Sequence, residues 1–227
     1  MLWLAVVVFV PGARAAEYLT DEKPVPPSVE DEVSPMEDVF PPDVPEWRVL
    51  PRLRKRLETA APFWRDTRLG LFPRVYYFDR QRENAQDSEA LAYGGRLAYN
   101  SGWWRDRIRL NASVFTTQRA YGPDDKDGTL LLKPGQKGFF VLGKANIELK
   151  LREDVTAKLF RQSFNFPYLN RNDSRMVPNT FEAYTLIKRP VNHWALAFSQ
   201  VRKMKRRESD EFVSMSEAAG FEDTDEE

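Results

Sequence analysis

The sequence lacks cysteine altogether and has a single histidine, His193, in 227 residues. Without cysteine there is neither a disulfide framework nor a thiolate metal site. One histidine, beside Trp194 at a predicted turn, leaves almost no material for a Ser/His/Asp triad or a histidine metal cluster. We therefore predict a protein that is not an enzyme and that needs no metal or other cofactor.

The chain also lacks an excess of either charge. Its 34 basic and 34 acidic residues cancel, which argues against nucleic acid as a partner. Its mean hydropathy of -0.56 excludes a bundle of apolar membrane helices. That value does not exclude a membrane β-barrel, because barrel strands alternate apolar and polar residues and average out like those of a soluble protein.

The first 62 residues have the composition of a targeting segment followed by a linker. The apolar run from Leu2 to Val10 is too short to span a bilayer as a helix, and Ala13-x-Ala15 after it fits a secretory cleavage site. We predict an export signal over residues 1–16, although no basic residue precedes the run. A buried strand is the alternative, disfavoured because a polar, Pro-rich stretch follows. Residues 17–62 are acidic and Pro-rich, with a short basic segment, and are predicted to form a linker.

From residue 63 to residue 207 the hydrophobic pattern has a period of two, which predicts β-strands. The predicted strands are 68–80, 90–99, 105–117, 139–151, 155–163, 180–188 and 194–202. One face of the clearest three is apolar: Leu69, Leu71, Val75 and Tyr77; Ile108, Leu110, Ala112 and Val114; Phe139, Val141, Ala145, Ile147 and Leu149. The opposite faces carry basic residues that we predict to line a pore: Arg68, Arg74, Arg80, Arg105, Arg107, Arg109, Lys144 and Lys158.

Short and long connections alternate between these strands, as in an up-and-down membrane barrel with short turns on one side and long loops on the other. Trp103, Trp104 and Trp194 fall beside short turns, where an interfacial aromatic girdle would place them. A soluble β-sandwich, as in a periplasmic or surface-attached binding protein, is the alternative. The arginine rows favour a transmembrane antiparallel barrel with a wet, basic lumen and lipid around it. Like charges repeated along one strand face repel one another, and such a row is easier to understand in a water-filled lumen that attracts anionic groups than on an ordinary surface.

A long stretch from residue 164 to residue 186 separates two predicted strands. It is rich in Asn, Asp and Arg and contains Pro167 and Pro178, so much of it reads as a loop. Loops of this length in compact domains usually have a function. We predict that it folds into the barrel mouth and narrows it; a solvated surface loop is the alternative. The candidate constriction residues are Asn170, Asp173, Ser174 and Arg175.

Four segments in this order resemble the OprD family of outer-membrane porins. They are residues 74–80 (RVYYFDR), 94–102 (GGRLAYNSG), 121–131 (YGPDDKDGTLL) and 173–182 (DSRMVPNTFE). The resemblance implies a Gram-negative outer-membrane channel with a narrow, basic-lined pore for small nutrients, constricted by the third external loop. It also implies that Arg80 occupies a pore-lining position. By this account the basic residues guide solutes that carry carboxylate groups past the loop.

The chain departs from this family in its length. Family members continue for about as many residues again and end on a strand that closes the barrel, as a membrane barrel must. Residues 208–227 are instead acidic and poor in strand pattern, and we expect them to belong to an external loop. The expected structure is therefore the amino-terminal half of a porin, an incomplete barrel of about seven strands.

Overall fold

A computed structural model describes residues 2–9, 57, 59–166, 168–191 and 194–221 of the chain. The predicted cleavage site, nearly all of the predicted linker, His193 and the end of the acidic tail lie outside the described residues. The elements are β1 (Leu2–Phe9), α1 (Pro62–Arg65), β2 (Arg68–Arg80), β3 (Ser88–Asn100), β4 (Ile108–Tyr121), β5 (Phe139–Lys150), β6 (Val155–Gln162), β7 (Thr180–Val191), β8 (Trp194–Lys205), β9 (Val213–Ser214) and α2 (Met215–Ala218). In this part of the chain no helix is both long and apolar enough to cross a membrane.

Strands β2 to β8 follow one another in space in the order of the sequence, and each is antiparallel to the next. This is the predicted up-and-down sheet, and it is open, an incomplete barrel. Beyond β8 lies β1, paired with it from Leu2 opposite Val201 to Phe9 opposite Trp194. The predicted export signal thus includes a segment that forms a strand in this structure, while its role in export stays a prediction.

One face of the sheet, which we call the outer face, is apolar and exposed. Leu71, Val75 and Phe140 have 73%, 70% and 67% of their surface accessible. The other members of this face are Leu69, Tyr77, Tyr93, Leu97, Leu110, Leu142, Ile147, Tyr184, Leu186, Leu196 and Phe198. Burying apolar side chains from water is favourable. An exposed apolar surface of this size therefore marks a face that contacts lipid or a partner.

A bulge in β5 overturns part of the predicted alternation. Ser113 pairs with Lys144 but Val114 pairs with Leu142, so Gly143 is an extra residue in β5. Before the bulge Phe139 and Val141 point to the inner face, opposite to the outer face, and both are 5% exposed. The prediction that they share a face with Ala145 and Ile147 is therefore wrong, because one inserted residue reverses which face a period-two pattern addresses.

The connections lie at two ends of the sheet. At one end, the loop end, are 81–87, 122–138, 163–179 and 206–212; at the other, the turn end, are 101–107 and 151–154. The predicted asymmetry holds from β4 onward, whereas loop 81–87 is no longer than turn 101–107. Helix α1 joins the turn end through the Gly102 amide, which donates to the Phe63 carbonyl (2.8 Å).

Candidate pore constriction

Residues 163–179, here called the constriction loop, fold back over the inner face of the sheet. At its start, Phe164, Phe166 and Leu169 pack on Phe181 and Val201 of β7 and β8. Further on, Met176 and Val177 are 2% and 0% exposed and pack into a second cluster on β3, β4 and β5. Apolar anchors at both ends of the loop fix its path across the sheet, since each buried side chain contributes roughly 1.5 to 3 kcal/mol.

The middle of the constriction loop is joined to the first strand of the sheet by Arg74. Its guanidinium Nη1 lies 2.8 Å from Asp173 Oδ1. The same nitrogen donates to the Arg175 carbonyl and, at 3.5 Å, to that of Met176. Arg74 and Asp173 are 99 residues apart in sequence, and three strands separate β2 from β6, where the loop begins.

Arg175 returns the contact from the loop to the sheet. Its guanidinium lies 4.5 Å from the ring centre of Phe78 and 5.8 Å from that of Tyr76, both on β2. Its Nε donates to the Thr129 carbonyl in loop 122–138 (3.3 Å). Stacking of a guanidinium on aromatic rings is attractive, so Arg175 holds the loop to β2 and to the neighbouring loop.

The amide side chains of the constriction loop explain its unusual composition. Asn170 Nδ2 donates to Asn165 Oδ1 (2.8 Å), and the Asn172 amide donates to Asn170 Oδ1 (2.7 Å). Ser174 Oγ donates to Asn172 Oδ1 (2.8 Å). Asn172 has a φ of 42°, a left-handed conformation that Asn tolerates better than most residues. These hydrogen bonds stabilise the folded path of the loop, whose described residues have no regular strand pairing of their own.

Lys205, the last residue of β8, supports the end of the constriction loop. It is fully buried, and its Nζ donates to the carbonyls of Pro178 (3.0 Å), Arg206 (2.8 Å) and Ser209 (3.5 Å). A buried ammonium is costly unless its donors are satisfied. The three carbonyl acceptors meet that need and tie the constriction loop to loop 206–212.

A cavity of about 90 Å³ lies between the constriction loop and strands β2 to β4. It is lined by Phe72, Arg74, Gly95, Arg96, Phe115, Asp173, Met176 and Pro178. Arg96 stands on the inner face, opposite Phe72 of β2 and Phe115 of β4, with its guanidinium 4.3 Å from the ring centre of Phe72. The alternation pattern does not reveal Arg96, because Gly94 and Gly95 before it carry no side chains that could continue the alternation.

Arg109 and Lys158 lie on the inner face as predicted from parity, but both are paired with an acid. Arg109 Nε donates to Glu148 Oε2 (3.0 Å), and Lys158 Nζ lies 3.4 Å from Glu148 Oε1. Asn111 Nδ2 donates to the same carboxylate at 3.0 Å and to Asn146 Oδ1 at 2.9 Å. This part of the inner face therefore carries a partly compensated cluster of charges rather than a row of lone cations.

Two of the predicted pore-lining arginines lie elsewhere. Strand β4 begins at Ile108, so Arg105 and Arg107 belong to the turn 101–107. Arg105 has a φ of 50° and stacks on Trp104 at 4.9 Å. The prediction that these two continue the face of β4 is wrong, because alternation ends where the backbone leaves the extended region.

The remaining predicted positions are spread along the sheet. Arg68 and Arg80 stand at opposite ends of β2 and are exposed. The Arg80 guanidinium lies 5.1 Å from the Phe78 ring centre. Lys144 is buried on the inner face of β5, 3% exposed. The structure thus brings Arg74 together with Asp173 and Arg175, and Arg109 together with Lys158 at Glu148.

Ion pairs at the loop end join loop 122–138 to loop 206–212 and to strand β3. Lys133 Nζ lies 2.6 Å from Asp210 Oδ1, linking loop 122–138 to loop 206–212. The hydrogen bond from Lys133 holds the pKa of the Asp210 carboxyl below its usual range. Lys126 Nζ lies 2.7 Å from Glu89 Oε2, and this hydrogen bond raises the pKa of Lys126. No group of side chains in the described ranges is arranged to hold a metal ion.

An antiparallel up-and-down sheet with an apolar outer face and a loop folded over its inner face defines the class of β-barrel porins. The chain belongs to the OprD family: the sequence profile described as outer membrane porin, OprD family, matches residues 61–227. No curated protein matches the chain significantly. Family and fold favour a channel over an enzyme and over the binding protein considered from the sequence.

Solved porins share this fold. OccK9 (OpdG) of Pseudomonas aeruginosa is 27% identical, with a TM-score of 0.59 over 67% of this chain and 42% of its own. OccAB2 of Acinetobacter baumannii is 19% identical, with a TM-score of 0.60 over 67% of this chain and 40% of its own. OpdK of Pseudomonas aeruginosa, solved with vanillate, is 21% identical, with a TM-score of 0.55 over 65% of this chain and 39% of its own. The chain thus spans about two fifths of the length of the porins it matches.

Proposed function

We propose that the chain is part of an outer-membrane channel of a Gram-negative bacterium that passes small, carboxylate-bearing solutes by diffusion. The observation that supports this most is the two-faced sheet. Its outer face is apolar and exposed, as hydrocarbon requires, and its inner face carries charged and amide side chains. The constriction loop lies on the inner face, where it would narrow a water-filled lumen. An amino-terminal export signal fits this location.

The cavity beneath the constriction loop suits the solute class. Arg96 places its guanidinium over the ring of Phe72, and Phe115 lines the same cavity. Guanidinium groups bind carboxylates through paired hydrogen bonds, and aromatic walls favour flat apolar groups. OpdK was solved with vanillate, an aromatic carboxylate, which supports the same class here. The basic side chains would act by attracting anions electrostatically, with no cofactor.

The test is ion and solute permeation through the purified full-length porin in planar bilayers. Replacement Arg96→Gln should lower the permeation of benzoate more than that of a neutral solute of similar size, because the lost interaction is electrostatic. Arg105→Gln is the matched control, since Arg105 stands in an exposed turn. A purified protein that stays soluble without detergent and forms no channels would contradict the proposal.

A further inference from the structure

Arg74 and Arg175 exchange contacts between the first strand of the sheet and the constriction loop. Arg74 of β2 binds Asp173 and the carbonyls of Arg175 and Met176. Arg175 of the loop stacks on Phe78 of β2. Every contact described for the Arg74 guanidinium goes to the loop. A solute-binding arginine would instead present its donors to the passing solute.

This contact lies far from the two strands that the constriction loop connects, so it can determine where the middle of the loop lies. The constriction loop begins after β6 and ends before β7, which are neighbours in the sheet. Its middle contacts β2, which is an edge strand of the sheet. The buried anchors Phe164 and Phe166 hold the part nearest β7 and β8. Met176 and Val177 are buried against β3, β4 and β5. From there to β2, the described contacts of the loop are those of Arg74 and Arg175.

We propose that Arg74 is a clamp that sets the width of the pore by holding the constriction loop against β2, with Arg175 as the reciprocal anchor. Both arginines are then positioning residues, and neither acts chiefly as a binding site for anions. This inference rests on the proposed porin function. It reassigns two residues that the alternation pattern and the loop composition marked as solute-facing.

Energetics supports a clamp that can be opened by mutation without unfolding the sheet. The side chains of Arg74 and Asp173 are 37% and 27% exposed, and an ion pair of such exposure adds little to global stability. The contact is local to the loop, so its loss changes the loop's position more than the strand pairing. Arginine suits the task better than lysine, because its planar group can reach a carboxylate and neighbouring carbonyls together.

The experiment compares four variants of the full-length porin in liposome-swelling assays, with neutral sugars of increasing size and with a small carboxylate. Arg74→Ala and Asp173→Asn should each raise the flux of the largest sugars several-fold, and the small carboxylate should keep its flux. The exchange Arg74→Asp with Asp173→Arg should restore the exclusion of large sugars only in part, because a carboxylate in place of Arg74 cannot donate to the carbonyls of Arg175 and Met176. Arg82→Ala, in the exposed loop 81–87, is the control for loss of one surface charge and should leave the size limit unchanged.

Different failures have different meanings. If Arg74→Ala lowered carboxylate flux and left the size limit unchanged, Arg74 would be a solute-binding residue and the clamp would be refuted. If Arg74→Ala did not fold, Asp173→Asn, which alters only the loop, would decide by the same criterion. An unmodified porin that passed no solute would refute the proposed function itself, which is a separate result.

Discussion

Arg109 and Glu148 stand directly opposite each other on β4 and β5, with Arg109 Nε donating to Glu148 Oε2 at 3.0 Å. Because Lys158 approaches the same carboxylate from β6, one acid offsets one of the two positive charges in this part of the inner face. The charge that this region presents to a passing ion is therefore smaller than a count of basic residues suggests. Removing the carboxylate of Glu148 should therefore expose the full positive charge of Arg109 and Lys158.

Replacing Glu148 by Gln should increase the preference of the channel for anions. The change leaves the positive charges of Arg109 and Lys158 without their compensating carboxylate, and the lumen becomes more positive. It should cost roughly 1 to 3 kcal/mol of stability, the usual range for disrupting a buried polar contact. The reversal potential in a potassium chloride gradient measures the preference. Glu153→Gln, in the exposed turn 151–154, should leave it unchanged, and an equal shift in both variants would contradict the assignment.

The outer face should tolerate charge poorly in the middle of the strands. Val75 is 70% exposed near the centre of β2, so Val75→Arg should reduce the free energy of unfolding by about 2 to 4 kcal/mol in a lipid bilayer. Leu110 lies on the same face but two residues from the start of β4, where the interfacial cost of Arg is about 0 to 1 kcal/mol. Urea unfolding from phospholipid vesicles checks both values. A larger loss of stability for Leu110→Arg than for Val75→Arg would show that the position assigned to the bilayer along the strands is wrong.

Gly95 should resist replacement because the strands approach it closely. A Cβ at this residue would lie 2.2 Å from the Phe72 carbonyl oxygen, and overpacking of this kind costs about 1 to 3 kcal/mol. Gly135 also has a positive φ, but there the nearest atom is the flexible end of Lys137 at 3.6 Å. Thermal unfolding of Gly95→Ala and Gly135→Ala should therefore show the larger loss at Gly95. Equal losses would mean that backbone conformation alone, and not strand contact, requires the glycine.

The ion pair of Lys133 with Asp210 should make the loops sensitive to acid. Its hydrogen bond lowers the pKa of the Asp210 carboxyl, so the stability it contributes is complete above the carboxyl's ordinary pKa of 3.8. That contribution is lost as the pH falls through the lowered pKa of the folded state. The unfolding temperature of the unmodified porin should exceed that of Asp210→Asn at pH 5, and the gap should close towards pH 2. A gap independent of pH would contradict the assignment.

Much of the sheet could be predicted from the sequence because alternation is a local property. Strand β2 has the predicted bounds, and the apolar face of Leu69, Leu71, Val75 and Tyr77 is the outer face. The prediction fails where a single residue changes the phase of the alternation, as at the bulge of Gly143. It also fails at Arg105, whose positive φ begins a turn inside an apparently continuous pattern.

The site was less predictable because its contacts join distant parts of the chain. The composition of the constriction loop indicated a loop with a function, but nothing local to Asp173 indicates that its partner is Arg74. Pairing of Glu148 with Arg109 and Lys158 depends likewise on the register of three strands. Register follows from the turn lengths and from bulges such as that at Gly143, which the alternation pattern alone does not contain.

The central claim, that residues 163–179 constrict a pore for small solutes, is tested most directly by deleting the loop tip, residues 170–176, from the full-length porin. Single-channel conductance in planar bilayers, with chloride and with organic carboxylates as the anions, is the measurement. The account predicts that the deletion raises the conductance for every ion and weakens the discrimination among the anions, because the narrowest point has been removed. Unchanged conductance and selectivity in a folded barrel would contradict it.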